Sequence, residues 1–118
     1  MLVAEREQHL GGGWNEAPDA HPENDMAQLL RDDEIDTRLL GSQWQREGDA
    51  IAREWTLENF AQAIAFVNRV AAAAEERNHH PDILVHSWNK VRLTLSTHSA
   101  GGLTELDFEL AGAIDTMR

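Results

Sequence analysis

In the stretch "ERNHHPDIL", His79 and His80 stand side by side and Pro81 follows at once. The chain has six histidines: His9, His21, His79, His80, His86 and His98. Histidine titrates near neutrality, so a pair of rings can hold one proton donor and one proton acceptor. Two such rings beside a small substrate could protonate a leaving group and remove a proton elsewhere. A second reading is a metal site, with His79, His80 and His98 joined by Asp107 or Asp82 around zinc or iron. Adjacent residues in an extended chain point to opposite sides, which opposes His79 and His80 sharing one ion. A third reading is structural, since a histidine before proline can simply cap a helix end. Spacing alone leaves all three open. His86 reads as a packed or solvated strand residue, and His9 and His21 lie in irregular sequence.

The elements around these residues decide where they meet. Residues 57–77 read as the longest helix, with Thr56 as N-cap and Trp55 and Phe60 as a hydrophobic staple. Phe60, Ile64, Val67, Ala71 and Ala74 form its apolar stripe, widened by Ala63, Phe66 and Val70. Pro81 cannot continue a helix and drives His80 toward extended geometry, so the doublet sits in the exit from that helix. Two strands follow. "DILVHSW" alternates Ile83, Val85 and Ser87 with Leu84, His86 and Trp88, "NK" turns, and "VRLTLSTH" alternates Val91, Leu93, Leu95 and Thr97 with polar partners. His98 therefore ends the hairpin. Thr104 caps a last helix, residues 105–117. Asp107 completes a capping box, Leu103 and Phe108 staple the end, and Leu106, Leu110, Ala113, Ile114 and Met117 face inward.

Upstream, residues 32–40 read as a short helix with Asp32 as N-cap, Ile35, Leu39 and Leu40 on one face, and Gly41 as its stop. "SQWQREGDAIAREWT" reads as one or two strands. The expected fold is α+β: a single antiparallel four-stranded sheet with helices packed on one face. Residues 1–25 read as an irregular extension and residues 26–118 as one domain.

Composition narrows the function. A 118-residue chain of net charge −11 is a poor partner for nucleic acid or an anionic membrane. Most of that charge lies in residues 1–49, which hold twelve acidic and four basic side chains. There is no cysteine, which excludes disulfides, thiolate metal sites and a cysteine nucleophile. No apolar run is long enough to span a membrane, and a cytoplasmic protein is the expectation. Neither "GGG" nor "AGGL" has the spacing of a phosphate-binding loop.

"NHHPD" and "WNKVRLTLSTHSAGGLTELDFELAGAID" together resemble the pterin-4a-carbinolamine dehydratases. The resemblance runs over residues 27–117 and includes "LLRDDEI", "GSQW" before "GDAIAREW", and "FAQAIAFVNRVAAAAEERN". Arg31 departs from it, standing where the family usually has a small capping residue, and Trp88 stands where many members have tyrosine. The resemblance implies one antiparallel sheet with helices on one side. It implies dehydration of 4a-hydroxytetrahydropterin to quinonoid dihydropterin, in the recycling of tetrahydrobiopterin for aromatic amino acid hydroxylases, with no metal or organic cofactor. The implied catalytic residues are His79, His80 and His98. The implied substrate contacts are these histidines with Asn78, Ser96, Thr97 and Ser99, while Pro81 and Asp107 shape or orient the site. On this reading His79 and His98 form the acid–base pair and His80 holds the pterin. A homodimer or homotetramer is also implied. The non-enzymatic alternative is a dimerisation or coactivator-type module of the same fold.

Overall fold

The computed structural model describes residues 2–4 and 28–117. Among the described residues, strand β1 (Leu2–Ala4) comes first, then helix α1 (Asp32–Leu39), strands β2 (Gln45–Glu47) and β3 (Ala50–Thr56), and helix α2 (Phe60–Arg77). Strands β4 (Asp82–His86) and β5 (Lys90–Leu95), a 3-10 turn at His98–Ala100 and helix α3 (Glu105–Asp115) complete the chain. The strands form one sheet in the order β1-β4-β5-β3-β2, with every neighbouring pair antiparallel.

The period-2 pattern decides which face is covered. Cross-strand partners Ile51 and Leu95, Trp55 and Val91, Val85 and Val91, and Ile83 and Leu93 are all buried. One face of the sheet is therefore apolar at these seven positions, and burying it drives the layering. Helix α2 lays Ala63, Phe66, Val70, Ala73 and Ala74 into that core, α3 adds Leu110, Ala111 and Ile114, and α1 adds Ile35. Phe66 sits 4.9 Å from Trp55 between ring centroids, and Trp44 meets Trp55 edge-on at 5.7 Å. The opposite face carries polar pairs, a hydrogen bond between His86 Nε2 and Glu54 Oε1 at 2.8 Å and an ion pair of Arg92 with Glu47. The α+β fold with one antiparallel sheet is thus as the sequence leads one to expect, and the four strands of residues 45–95 form the expected sheet. Leu2–Ala4 add a fifth strand within the segment read as an irregular extension. The rest of that segment, with His9, Trp14 and His21, lies outside the described residues.

Several element boundaries differ from expectation. Helix α2 starts three residues late, with Asn59 as N-cap accepting from the Gln62 N–H at 2.8 Å. Leu57 is the cause: it is buried, and its N–H still donates to Asn89 O at 2.8 Å, continuing the sheet beyond Thr56. The expected Trp55–Phe60 staple is consequently absent; Phe60 is 51% exposed while Trp55 packs on Phe66. The core face is the Ala63–Phe66–Val70 stripe, and Ile64 and Val67 flank it. Helix α1 is capped by Arg31, whose N–H donates to Glu34 Oε1 at 2.8 Å, rather than by Asp32. Leu40 is exposed, because the chain has already turned out of the helix there. Trp88 is not a strand residue. It lies in the Ser87–Asn89 turn, 60% exposed, and both it and Ser87 take left-handed backbone angles (φ 56° and 49°).

Candidate active site

The end of α2 delivers the histidine doublet. Asn78 adopts the left-handed conformation (φ 51°, ψ 41°), its N–H donates to Glu75 O, and the His79 N–H donates to Ala74 O. This pair of bonds is a Schellman motif, which turns the chain sharply and directs the residue after the left-handed one back over the helix. That residue is His79, and it has no accessible surface. Pro81 follows and is buried as well, while His80 between them keeps partial exposure.

His79 meets a carboxylate inside the protein. Its Nε2 lies 2.7 Å from Asp107 Oδ1, and Asp107 is itself completely buried. Asp107 is the third residue of α3, and its Oδ2 accepts from the Thr104 N–H at 2.9 Å, completing the capping box expected there. The same Oδ2 accepts from Thr97 Oγ1 at 2.8 Å. Thr97 and Thr104 are also fully buried, and their hydroxyl oxygens are 2.8 Å apart. Proton counting fixes the direction of this chain. Thr97 gives its proton to Asp107, so it must accept from the Thr104 hydroxyl, which in turn accepts from the Leu106 N–H at 3.2 Å. A buried carboxylate is tolerable only when its oxygens are met by donors, and here three converge on it. The macrodipole of α3 favours negative charge at the same position.

The third histidine arrives through this network. Thr97 is bridged to Gly102, donating its N–H to Gly102 O at 2.9 Å, and its own carbonyl accepts from Gly101 at 2.9 Å. His98, Ser99 and Ala100 make the short 3-10 turn inside that closed loop. Gly101 ends the turn at φ 81°, where a side chain would be strained. A Cβ on Gly102 would lie 3.0 Å from Leu29 Cδ2, so the second glycine admits the segment that donates the Leu30 N–H to Leu103 O. His98 is exposed. The path His79–Asp107–Thr97 therefore ties the doublet to the segment that carries His98.

The predicted site residues separate by access. His80, His98, Ser99, Asn78 and Ser96 reach the surface, whereas His79, Pro81, Thr97 and Asp107 are buried. His79, expected as one of the acid–base pair, has no accessible surface and its Nε2 lies against Asp107. Thr97, Pro81 and Asp107, expected at or around the substrate, are buried as well. Ser96 gives its hydroxyl proton to Asp49 O at 2.8 Å, pinning the β2–β3 turn to the end of β5. Glu75 was not singled out from the sequence. Its Oε2 lies 2.6 Å from His80 Nε2 and orients that ring across the Schellman turn. Among the described residues no group of three or more histidine and carboxylate side chains converges as metal ligands would. A cavity of about 290 Å³ opens elsewhere, against Arg38, Trp44, Phe108 and Asp115, and no histidine lines it.

The family model described as pterin 4 alpha carbinolamine dehydratase matches residues 28–117. The chain belongs to the pterin-4a-carbinolamine dehydratase family. A relative from Roseiflexus castenholzii, named "Putative pterin-4-alpha-carbinolamine dehydratase", is 53% identical over 91 residues, covering 76% of this chain and 97% of its own. Among solved structures, "transcriptional coactivator/pterin dehydratase" from Brucella melitensis superimposes with a TM-score of 0.70 at 33% identity, over 74% of this chain and 95% of that one. A "pterin dehydratase-like protein", described as a RuBisCO assembly factor in the alpha-carboxysome, matches with a TM-score of 0.50 at 26% identity, over 62% of this chain and 83% of that one. In this dehydratase-family chain the matched region begins at Gln28 and spans every residue of the histidine site.

Proposed function

We propose that the protein dehydrates 4a-hydroxytetrahydropterin to quinonoid dihydropterin, with His80 and His98 as the proton-transferring pair. The observation that carries the reading is that His80, partly exposed, and His98, exposed, lie on segments tied together through the buried His79, Asp107 and Thr97. The reaction breaks the C4a–O bond and the N5–H bond and forms a C4a=N5 double bond. An imidazolium protonates the departing hydroxyl, which leaves as water, and a neutral imidazole takes the N5 proton. The two protons balance, so the pair ends with its charges exchanged and is reset by solvent. Neither a covalent nucleophile nor an electron acceptor is required.

On this reading Glu75 holds His80 in one ring orientation, and Asp107 holds His79 as a fixed wall behind it. Asn78 and Ser99 flank the two rings and contact the pterin. The cellular setting would be recycling of a tetrahydropterin, such as tetrahydrobiopterin, oxidised by an aromatic amino acid hydroxylase. A homodimer or homotetramer is part of the proposal, with the flank of α2 at Phe60, Ile64 and Val67 as the apolar surface available for it. That same surface favours the second reading, an interaction module that needs no catalysis. Turnover separates the two. Generated 4a-hydroxytetrahydropterin is followed by ultraviolet absorbance with wild type, His98→Ala or buffer. The dehydratase reading expects acceleration by wild type alone, and it fails if wild type matches buffer.

A further inference from the structure

We propose that the groove between α1 and α3 docks a short basic segment of another protein, which inserts one large apolar side chain. The groove, of about 290 Å³, is open to solvent on one side. It lies apart from the histidines, so this inference is independent of the dehydratase reading. Three features of its lining are left over by the chain's own packing. Leu40, just past the end of α1, is 79% exposed there. Gly112 lies inside α3, where glycine is less favourable than alanine. Its φ is not left-handed, and a Cβ at this position would meet nothing within 4 Å. Neither backbone angle nor packing within the chain therefore requires glycine, and the room it leaves opens outward. Asp115 accepts from Trp44 Nε1 at 2.7 Å and from Arg53 Nη1 at 2.6 Å, both through Oδ1, and its Oδ2 is left without a bond among the described residues. Phe108 and Trp44 complete the lining with aromatic surface.

Charge selects the occupant. Helices α1 and α3 expose Asp32, Asp33, Asp36, Glu105, Glu109 and Asp115, and Arg38, their one basic side chain, is already paired with Glu105. Apolar surface beside spare carboxylate oxygens is matched by a lysine or arginine next to a large apolar residue. The same charge opposes the other candidates. An anionic membrane or a nucleic acid would be repelled, residues 5–27 of this chain hold six acidic side chains against one basic, and a second copy brings a net charge of −11. Small-molecule pockets enclose most of their ligand, whereas a groove open on one side suits a side chain carried on a peptide backbone.

The test is fluorescence anisotropy of a fluorescein-labelled amphipathic peptide of lysine and leucine, titrated with the full chain. A peptide of glutamate and leucine in the same pattern is the control. The proteins are wild type, Gly112→Leu and Leu40→Ser. Gly112→Leu fills the groove without changing its charge and favours the helix. Leu40→Ser removes apolar surface at a position too exposed to disturb the fold. Wild type should bind the lysine peptide saturably, more weakly as salt is raised, and should leave the glutamate peptide unbound. Gly112→Leu should weaken binding about tenfold or more, and Leu40→Ser about threefold or more. Attraction by the acidic surface alone would leave both variants at the wild-type affinity. The proposal is overturned if wild type fails to bind the lysine peptide saturably, if it binds both peptides alike, or if either variant, shown by circular dichroism to be folded, binds as tightly as wild type.

Discussion

Replacing Asp107 by alanine removes the acceptor for three buried donors: His79 Nε2, Thr97 Oγ1 and the Thr104 N–H. Each buried donor left without a partner costs about 1–3 kcal/mol, and removing one member of a buried polar pair costs about 3–5 kcal/mol in total. The three costs share one cavity, so we expect about 4 kcal/mol rather than their full sum. For a folded region of some 90 residues, each kcal/mol shifts the melting temperature by about 4–8 °C, which gives a fall of about 15–30 °C. Asp107→Asn keeps the shape but supplies one acceptor oxygen and one donor nitrogen. With its oxygen facing Thr97 and Thr104, its nitrogen meets His79 Nε2, and that ring must change tautomer to accept, so the variant should lose about 1–3 kcal/mol. Urea unfolding followed by far-UV circular dichroism measures both variants, with equal slopes required for a two-state comparison. The expected order is wild type, then Asn, then Ala. An Asp107→Ala variant within about 1 kcal/mol of wild type would refute the claim that this carboxylate organises the site.

Three further outcomes follow from the same geometry. Thr97→Val removes one donor to Asp107 and the acceptor for the Thr104 hydroxyl, and should cost about 1–3 kcal/mol, less than additively with Asp107→Ala in a double-mutant cycle. Gly101→Ala forces a side chain into a left-handed turn end and should cost about 1 kcal/mol in urea unfolding, with little else near its Cβ to add to that. Glu75→Ala frees the His80 ring and should lower kcat about tenfold or more with the melting temperature little changed, whereas Glu75→Gln, which can still accept from Nε2, should recover most of the rate.

The sheet and the capping of α3 were legible because they rest on local rules. The alternation at Val91, Leu93, Leu95 and Thr97 specifies a face, and the Thr104–Asp107 spacing specifies a helix start. What escaped was decided by contacts far apart in sequence. Thr56 and Asn59 are both acceptable N-caps, and only the bond from Leu57 to Asn89, in the β4–β5 turn, tells them apart. Trp88 continues the strand pattern of Leu84 and His86, yet the turn closes one residue sooner through two non-glycine left-handed positions. His79 and His80 look equivalent in sequence. The Schellman turn makes them different, burying one on Asp107 and presenting the other to Glu75 five residues upstream. Leu2–Ala4 is too short a run for alternation to register against the irregular residues beside it.

The most direct test of the central claim is the rate of 4a-hydroxytetrahydropterin dehydration with wild type, His80→Ala and His98→Ala, each confirmed as folded. The account predicts that wild type outruns the buffer reaction and that each substitution lowers kcat/KM by about a hundredfold or more. A wild-type rate equal to that of buffer, or full activity in both variants, would contradict it.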